Sequence, residues 1–227
     1  MTTSNPPKAV IFDLDGTLVD SAPDIALALN RTLADRGLGP LDLETVRTLI
    51  GEGATRLVEL AYDALGAAPG DLDAEVARYL DYSYDNPVQR SSLYRDAKPA
   101  LHAMAKAGVA LGVCTNKSER LAREVLGHFG LLGIMSSVVG ADSTPKRKPH
   151  PMPLLRVIEE LGVSADACLY VGDTEIDRDC AAAAGMRCRI VQWGLGPSVA
   201  TAEPRLDSFS EILAGDVDFQ DMDFQIE

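Results

Sequence analysis

The sequence has little of what marks a metal-thiolate protein, a membrane protein or a nucleic-acid binder. Its four cysteines, Cys114, Cys168, Cys180 and Cys188, show no metal-ligand spacing. Three of them lie in or beside apolar strand-like runs, where a free thiol is ordinarily a small buried hydrophobe, so a reducing compartment is expected. Positive charge is scarce: 21 Lys and Arg stand against 34 Asp and Glu, a formal net charge of -13. That balance argues against nucleic acid or anionic lipid as a general partner, while a local site for an anionic small molecule stays open. No apolar run approaches the roughly 18 residues of a membrane span. The opening MTTSNPPK lacks the apolar stretch of an export signal, so a cytoplasmic location is expected. There is no serine-centred elbow and no His-Asp partner for Cys114, which excludes a nucleophilic triad. The glycines of Ile50-Gly51-Glu52-Gly53-Ala54 do not follow a strand, which excludes a dinucleotide fingerprint. His150, between two prolines, reads as a structural donor in a fixed turn rather than a base.

What is present is an ordinary globular composition, 227 residues with 46% hydrophobic and 24% charged, enough for one good core and a smaller appended domain. Five short apolar runs have strand character: Lys8 to Asp13, Val109 to Thr115, Ser137 to Gly140, Cys168 to Gly172 and Cys188 to Val191. Most are continuously hydrophobic and β-branched, as expected for strands covered on both faces. Helical patterns fall between the later ones, over Ala97 to Ala107, Arg120 to Phe129, Met152 to Leu161 and Asp177 to Ala184. That alternation predicts an α/β fold with an open, mostly parallel, Rossmann-like sheet. The interval after the first strand carries only helical patterns: one opened by Pro23 and Asp24 and closed by Gly37, then Asp42 to Leu49, Ala54 to Leu65 and Asp71 to Tyr84. A helical domain over residues 19–94 is therefore expected, inserted into a core made of residues 1–18 and 95–227. The C-terminal DVDFQDMDFQIE alternates acidic and apolar residues and is open to pairing as a strand, docking or staying loose.

Ligands of open α/β sheets lie beyond the carboxyl ends of the strands. Asp13 and Asp15 follow the first strand, Thr115 ends the second and Asp173 follows the fourth. Taken singly, each has a plain role open to it: an Asp-x-Asp caps a loop or helix, Thr115-Asn116 serves as an N-cap pair, and Asp173 and Asp177 are first-turn acids. Taken together, at the correct strand ends, they converge. Clustered carboxylates either hold protons or bind a cation, and oxygen-only donors suit a hard ion such as Mg²⁺. Lys148 supplies a compact positive charge, and the turn Asp15-Gly16-Thr17 offers backbone N–H groups to phosphate oxygens. The combination is one for phosphoryl transfer.

With these residues in place the sequence resembles the haloacid dehalogenase superfamily over nearly its whole length. Asp13-Leu14-Asp15-Gly16-Thr17 looks like the first of that family's four signatures, which implies Asp13 as nucleophile and Asp15 as general acid and base. Thr115-Asn116 looks like the second, a phosphoryl-binding hydroxyl, and Lys148 in RKPHP looks like the third, balancing charge. Gly172-Asp173-Thr174-Glu175-Ile176-Asp177 looks like the fourth, in which Asp173 holds the metal with Asp13 and the backbone carbonyl of Asp15, and Asp177 supports it. The inserted helices match an α-helical cap whose glycine-containing loop, here Ile50 to Arg56, meets the substrate. That implies Gly53 and Arg56 as contacts beside Gly16, Thr17 and Asn116, although a helix-surface arginine is the plainer reading of Arg56. Trp193, near a strand end, is placed where a bulky side chain can shape the pocket.

Within the family the resemblance is greatest to phosphoglycolate phosphatases. It implies Mg²⁺-dependent hydrolysis of a small phosphate monoester, 2-phosphoglycolate first among them, through an aspartyl phosphate. The second aspartate favours phosphate over halide, because a halide leaves without a proton. No nucleic-acid or membrane partner is expected, and the protein is expected as a monomer or homodimer. A phosphosugar mutase, a sugar-phosphate or pyrophosphate phosphatase, and a non-catalytic binding protein are the alternatives.

Overall fold

Ala9–Phe12 forms the central strand, β1, and is wholly buried. Its side chains point alternately to two different apolar clusters, Val10 and Phe12 to one and Ala9 and Ile11 to the other. That is why a strand of period two reads in the sequence as an unbroken apolar run. In the computed structural model, which describes residues 7–195 and 205–215, β1 is flanked by β4 (Ala110–Cys114) and β6 (Cys168–Gly172), with β5 (Ser137–Val139) and β7 (Arg187–Ile190) outside them. The order is β5-β4-β1-β6-β7, parallel throughout. Phe12 pairs with Val113 and Val171. Continuing that register sets Asp13 level with Cys114 and Gly172, one residue short of Thr115 and Asp173.

The first cluster lies under α5 (Ala97–Lys106), α6 (Glu119–His128) and α9 (Ser210–Gly215), and the second under α7 (Met152–Leu161) and α8 (Glu175–Ala183). Between β1 and the rest of the core run α1 (Ala22–Ala34), α2 (Leu43–Leu49), α3 (Ala54–Ala64) and α4 (Leu72–Asp85), which enclose a third cluster including Leu29, Leu33, Val46, Val58 and Tyr62. The starts of α2 and α4 follow from their sequence. Asp42 accepts a hydrogen bond from the Thr45 N–H at 2.8 Å and Asp71 one from Ala74 at 3.1 Å, each satisfying a donor that a helix N-terminus leaves unpaired. These four helices form a cap-like subdomain over the carboxyl ends of β1, β4 and β6.

Four elements differ from the sequence expectation. Val19–Asp20 (β2) pairs antiparallel with Ser92–Leu93 (β3), one strand on each side of the helical insert. At two residues each they carry no readable period. Helix α8 starts at Glu175, ahead of the expected Asp177, because Thr174 and Asp177 close a capping box around its first turn. Helix α9, unanticipated, brings Ile212 onto the first cluster just after Phe209 reaches it. The acidic tail, residues 216–227, lies outside the described residues. Among the described residues no helix is long and apolar enough to cross a membrane.

Candidate functional site

Four backbone segments end at one point. Asp13 leaves β1, Thr115 and Asn116 leave β4, Asp173 leaves β6, and Lys148 comes in on the loop before α7; all five are buried. Lys148 extends its ammonium to 2.9 Å from Asp13 Oδ1, 2.7 Å from Asp177 Oδ1 and 2.9 Å from the Tyr170 hydroxyl oxygen. Burial pulls its pKa down, but Asp13 and Asp177 outweigh that and hold it well above the ordinary lysine value. The Tyr170 hydroxyl lies 2.8 Å from Asp177 Oδ1 and 3.0 Å from the Cys114 carbonyl, one of which takes its single proton. Asp177 is thus fully engaged, since its other oxygen accepts from the backbone N–H groups of Asp173 and Thr174 and from the Thr174 hydroxyl.

Asp13, Asp173 and Asp177 each offer a carboxylate oxygen within 4.8 Å of the others. Burial raises Asp13 to about 6, with Lys148 opposing and Asp177 and Asp15 adding. Burial, Asp177 and Asp13 raise Asp173 well above the usual carboxylate range. Burial works to raise Asp177 too, but Lys148 and the hydrogen bonds it accepts bring it below the usual value. Asp13 Oδ1 is buried 2.9 Å from the Lys148 ammonium and takes no other hydrogen bond. Asp15 turns away from this cluster and pairs with Lys117, whose Nζ lies 2.9 and 3.0 Å from its two oxygens. With all four carboxylates ionised they face two ammonium groups, and the centre is then short of two positive charges, the charge of one divalent cation. Three buried carboxylates close together and an all-oxygen donor set fit such an ion.

The other anticipated residues divide. Thr115 and Gly53 line the cavity above the carboxylates, together with Ile50, Gly51 and Ala54 of the same loop. Gly16 and Thr17 do not line it. Gly16 has φ +87°, and a Cβ there would overlap the Asp173 carboxylate, while the Thr17 hydroxyl donates to Asp173 at 3.2 Å. Both residues seat Asp173. Asn116 lines the cavity, but its amide is engaged: it donates to the carbonyls of Gly51 at 2.9 Å and Lys148 at 3.1 Å and accepts from the Lys148 N–H at 3.0 Å. Arg56 is not brought to the cavity. It pairs along its own helix with Glu59 at 2.6 Å and Glu52 at 3.9 Å, as exposed arginines at these spacings do. Trp193 points into the core instead, donating to the Thr17 carbonyl at 3.1 Å and stacking near Phe209 and Tyr94. His150 Nδ1 accepts from the Met152 N–H at 3.2 Å, a structural contact, and burial pushes the Cys114 thiol well above its usual pKa. Sequence reasoning passed over Lys117, Tyr170 and Gly194. Lys117 had a signal, its adjacency to a strand-end Thr-Asn pair; Tyr170 and Gly194 had none.

The cavity holds about 60 Å³, against the roughly 10–15 Å³ that one water needs, so with the cap in place it suits a small molecule. Comparison with known proteins agrees with this geometry. The profile of the haloacid dehalogenase-like hydrolases matches residues 10–191, and the chain belongs to that family. It is 44% identical over 194 residues to a phosphoglycolate phosphatase of Rhodospirillum rubrum, covering 83% of this chain and 80% of the relative. It is 40% identical over 188 residues to one of Xylella fastidiosa, covering 83% and 81%. Among solved structures, a predicted phosphoglycolate phosphatase from Haemophilus somnus superposes with a TM-score of 0.83 at 31% identity, covering 94% of this chain and 99% of that one.

Proposed function

We propose that the protein is a Mg²⁺-dependent phosphatase that hydrolyses a small phosphate monoester, 2-phosphoglycolate first among candidates. In this reading residues 19–94 are the cap and residues 1–18 and 95–227 the core. It is read as a cytoplasmic monomer or homodimer with no nucleic-acid or membrane partner. The observation that carries the reading is the buried cluster of the Asp13, Asp173 and Asp177 carboxylates, whose oxygens lie within 4.8 Å of one another with, among the described residues, only the Lys148 ammonium paired to them. Asp13, Asp173 and the backbone carbonyl of Asp15 would hold the ion, with Asp177 supporting them. When bound, Mg²⁺ offsets the carboxylate repulsion and draws charge from the phosphoryl oxygens.

The chain's residues then divide the work. Asp13, fixed at the end of β1, attacks phosphorus in line and forms an aspartyl phosphate. Asp15, on the cavity wall, gives its proton to the departing oxygen and later takes one from the water that hydrolyses the acyl phosphate, splitting one hard displacement into two easier steps. Lys148 and Thr115 stabilise the equatorial oxygens. Uncatalysed hydrolysis of such esters calls for rate gains of up to about 10²¹. Positioning contributes roughly 7–11 kcal/mol, so electrostatic stabilisation by these groups must contribute much of the remainder.

The test is phosphate release from 2-phosphoglycolate, sugar phosphates, pyrophosphate and an aryl phosphate, with Mg²⁺, with chelator and with Asp13→Asn. Turnover should require the metal, and Asp13→Asn should lower kcat by about 10⁴-fold or more. Isomerised phosphosugar without free phosphate would replace the hydrolase by a mutase, and Mg²⁺ binding without any turnover would leave only a binding protein.

A further inference from the structure

The proposed reaction accounts for Asp13, Asp15, Asp173 and Lys148, but not for Lys117. Its side chain is only 12% exposed, and it is the single cation among the described residues that line the cavity. Its acceptors are the two oxygens of Asp15. An ammonium has three N–H groups, so one is not taken by Asp15, on a residue that lines the cavity. The rest of the wall offers no competing cation. Ile25, Ile50, Leu57, Leu80 and Leu121 are apolar. Arg56 is tied to Glu59 and Glu52 on the outside of α3, and Arg147, though near Gly53, is exposed and does not line the cavity.

The distances define what this ammonium can read. A proton donor must come within roughly 2.6–3.2 Å of the leaving oxygen, and Lys117 touches that donor, Asp15, at 2.9 and 3.0 Å. Its nitrogen therefore lies within about 6 Å of the ester oxygen. A carboxylate one carbon away from that oxygen has its own oxygens about 3 Å from it by ordinary bond lengths, which brings a charge-assisted hydrogen bond of about 2.8 Å to Lys117 within reach.

We propose that Lys117 is the specificity-determining residue of the site, receiving a carboxylate borne one carbon from the phosphate ester oxygen while it keeps its contact with Asp15. This rests on the phosphatase reading and moves substrate choice from the cap's arginine to the loop after β4. The apolar side chains of the wall suit the methylene of such an acid, with Tyr79, Ser118 and Thr174 among its polar side chains.

The experiment measures kcat/KM with Mg²⁺ for 2-phosphoglycolate, for ethyl phosphate, which has a methyl in place of the carboxylate, and for 3-phosphooxypropanoate, whose carboxylate is one carbon further out. Lys117→Met slows all three, and its loss on 2-phosphoglycolate should exceed its loss on ethyl phosphate by about thirtyfold or more. Lys117→Gln, which keeps a donor toward Asp15 without the charge, should show the same excess, and the wild type should prefer 2-phosphoglycolate to the longer acid. Equal losses on 2-phosphoglycolate and ethyl phosphate would overturn the assignment, leaving Lys117 a partner of Asp15 alone and the phosphatase reading intact. A wild type that releases phosphate from none of the three but does so from a sugar phosphate, pyrophosphate or aryl phosphate would overturn this inference and leave a phosphatase, and one that releases it from no substrate would remove both.

Discussion

Asp173 sits where it does because two of its neighbours have no side chain. A Cβ on Gly16 or on Gly194 would overlap its carboxyl group. In that slot Oδ1 takes the Thr17 hydroxyl at 3.2 Å and Oδ2 the Leu195 N–H at 2.8 Å, bonds that fix the direction in which the remaining lone pairs point. Metal affinity depends on such fixing, and disturbing the groups that orient a ligand typically costs tenfold to a hundredfold. Gly194→Ala puts a methyl against Asp173 without asking for a left-handed backbone. The expected result is a folded protein whose half-saturating Mg²⁺ concentration rises by about tenfold to a hundredfold, read by calorimetric titration and by the Mg²⁺ dependence of phosphate release. An unchanged metal affinity would mean that Asp173 has slack the geometry does not show. The Asp13-x-Asp15-Gly16-Thr17 turn was legible as part of the site, but the task of Gly16 was not. A sequence shows that a glycine permits close approach, and only the packed loops show that the approaching group is Asp173 from β6.

Among the elements, the cap depends on one charged contact inside its apolar cluster. The Glu75 side chain on α4 is fully buried and accepts from Arg36 Nε at 2.8 Å, from a second nitrogen of Arg36, and from the Tyr62 hydroxyl at 2.8 Å. It thereby joins the end of α1 to α3 and α4. The Arg36 hydrogen bonds, against the opposing effect of burial and with help from Tyr62, hold its pKa below the ordinary glutamate value. A depressed folded pKa stabilises the protein above the unfolded value of about 4.3, and that stability is lost as pH falls through the lower folded value. Glu75→Gln should therefore lower Tm by roughly 5 °C near neutrality, and the gap to wild type should narrow below about pH 4. A gap independent of pH would show that shape, not charge, matters at this position. The cap helices themselves were legible from apolar spacing and from Asp42 and Asp71 as caps, and β1, β4 and β6 from unbroken apolar runs. What escaped was set by tertiary contact: β2 and β3, too short for any period; α9, which follows the Phe209 that packs on Phe12; and the pairing of Arg56 with its own helix.

At the scale of the whole molecule, polar links join cap and core over the carboxylates, and one of them runs straight to the loop that carries Lys148. The Tyr84 hydroxyl of α4 lies 2.9 Å from the Ser118 hydroxyl at the start of α6, while Arg47 on α2 grips Asp20 of β2 within the cap, with bonds of 3.0 and 2.9 Å. Asn116 differs from these. One amide group holds the Gly51 carbonyl of the cap loop and both the N–H and the carbonyl of Lys148. The cap loop and Lys148, in contact with Asp13 and Asp177, thus share a single side chain, and loop position and charge placement are expected to shift together. Asn116→Ala removes all three bonds, yet takes away no group that has been assigned to the chemistry. The expected outcome is faster amide hydrogen exchange in residues 50–54 and a kcat about a hundredfold lower, the scale of an ångström's misplacement at a reacting centre. The fall in kcat should extend to ethyl phosphate, which has no carboxylate to misplace, and this separates the clamp from the anion recognition assigned to Lys117. Full kcat with accelerated exchange would show that the cap loop can loosen without moving Lys148, and the coupling would then be absent.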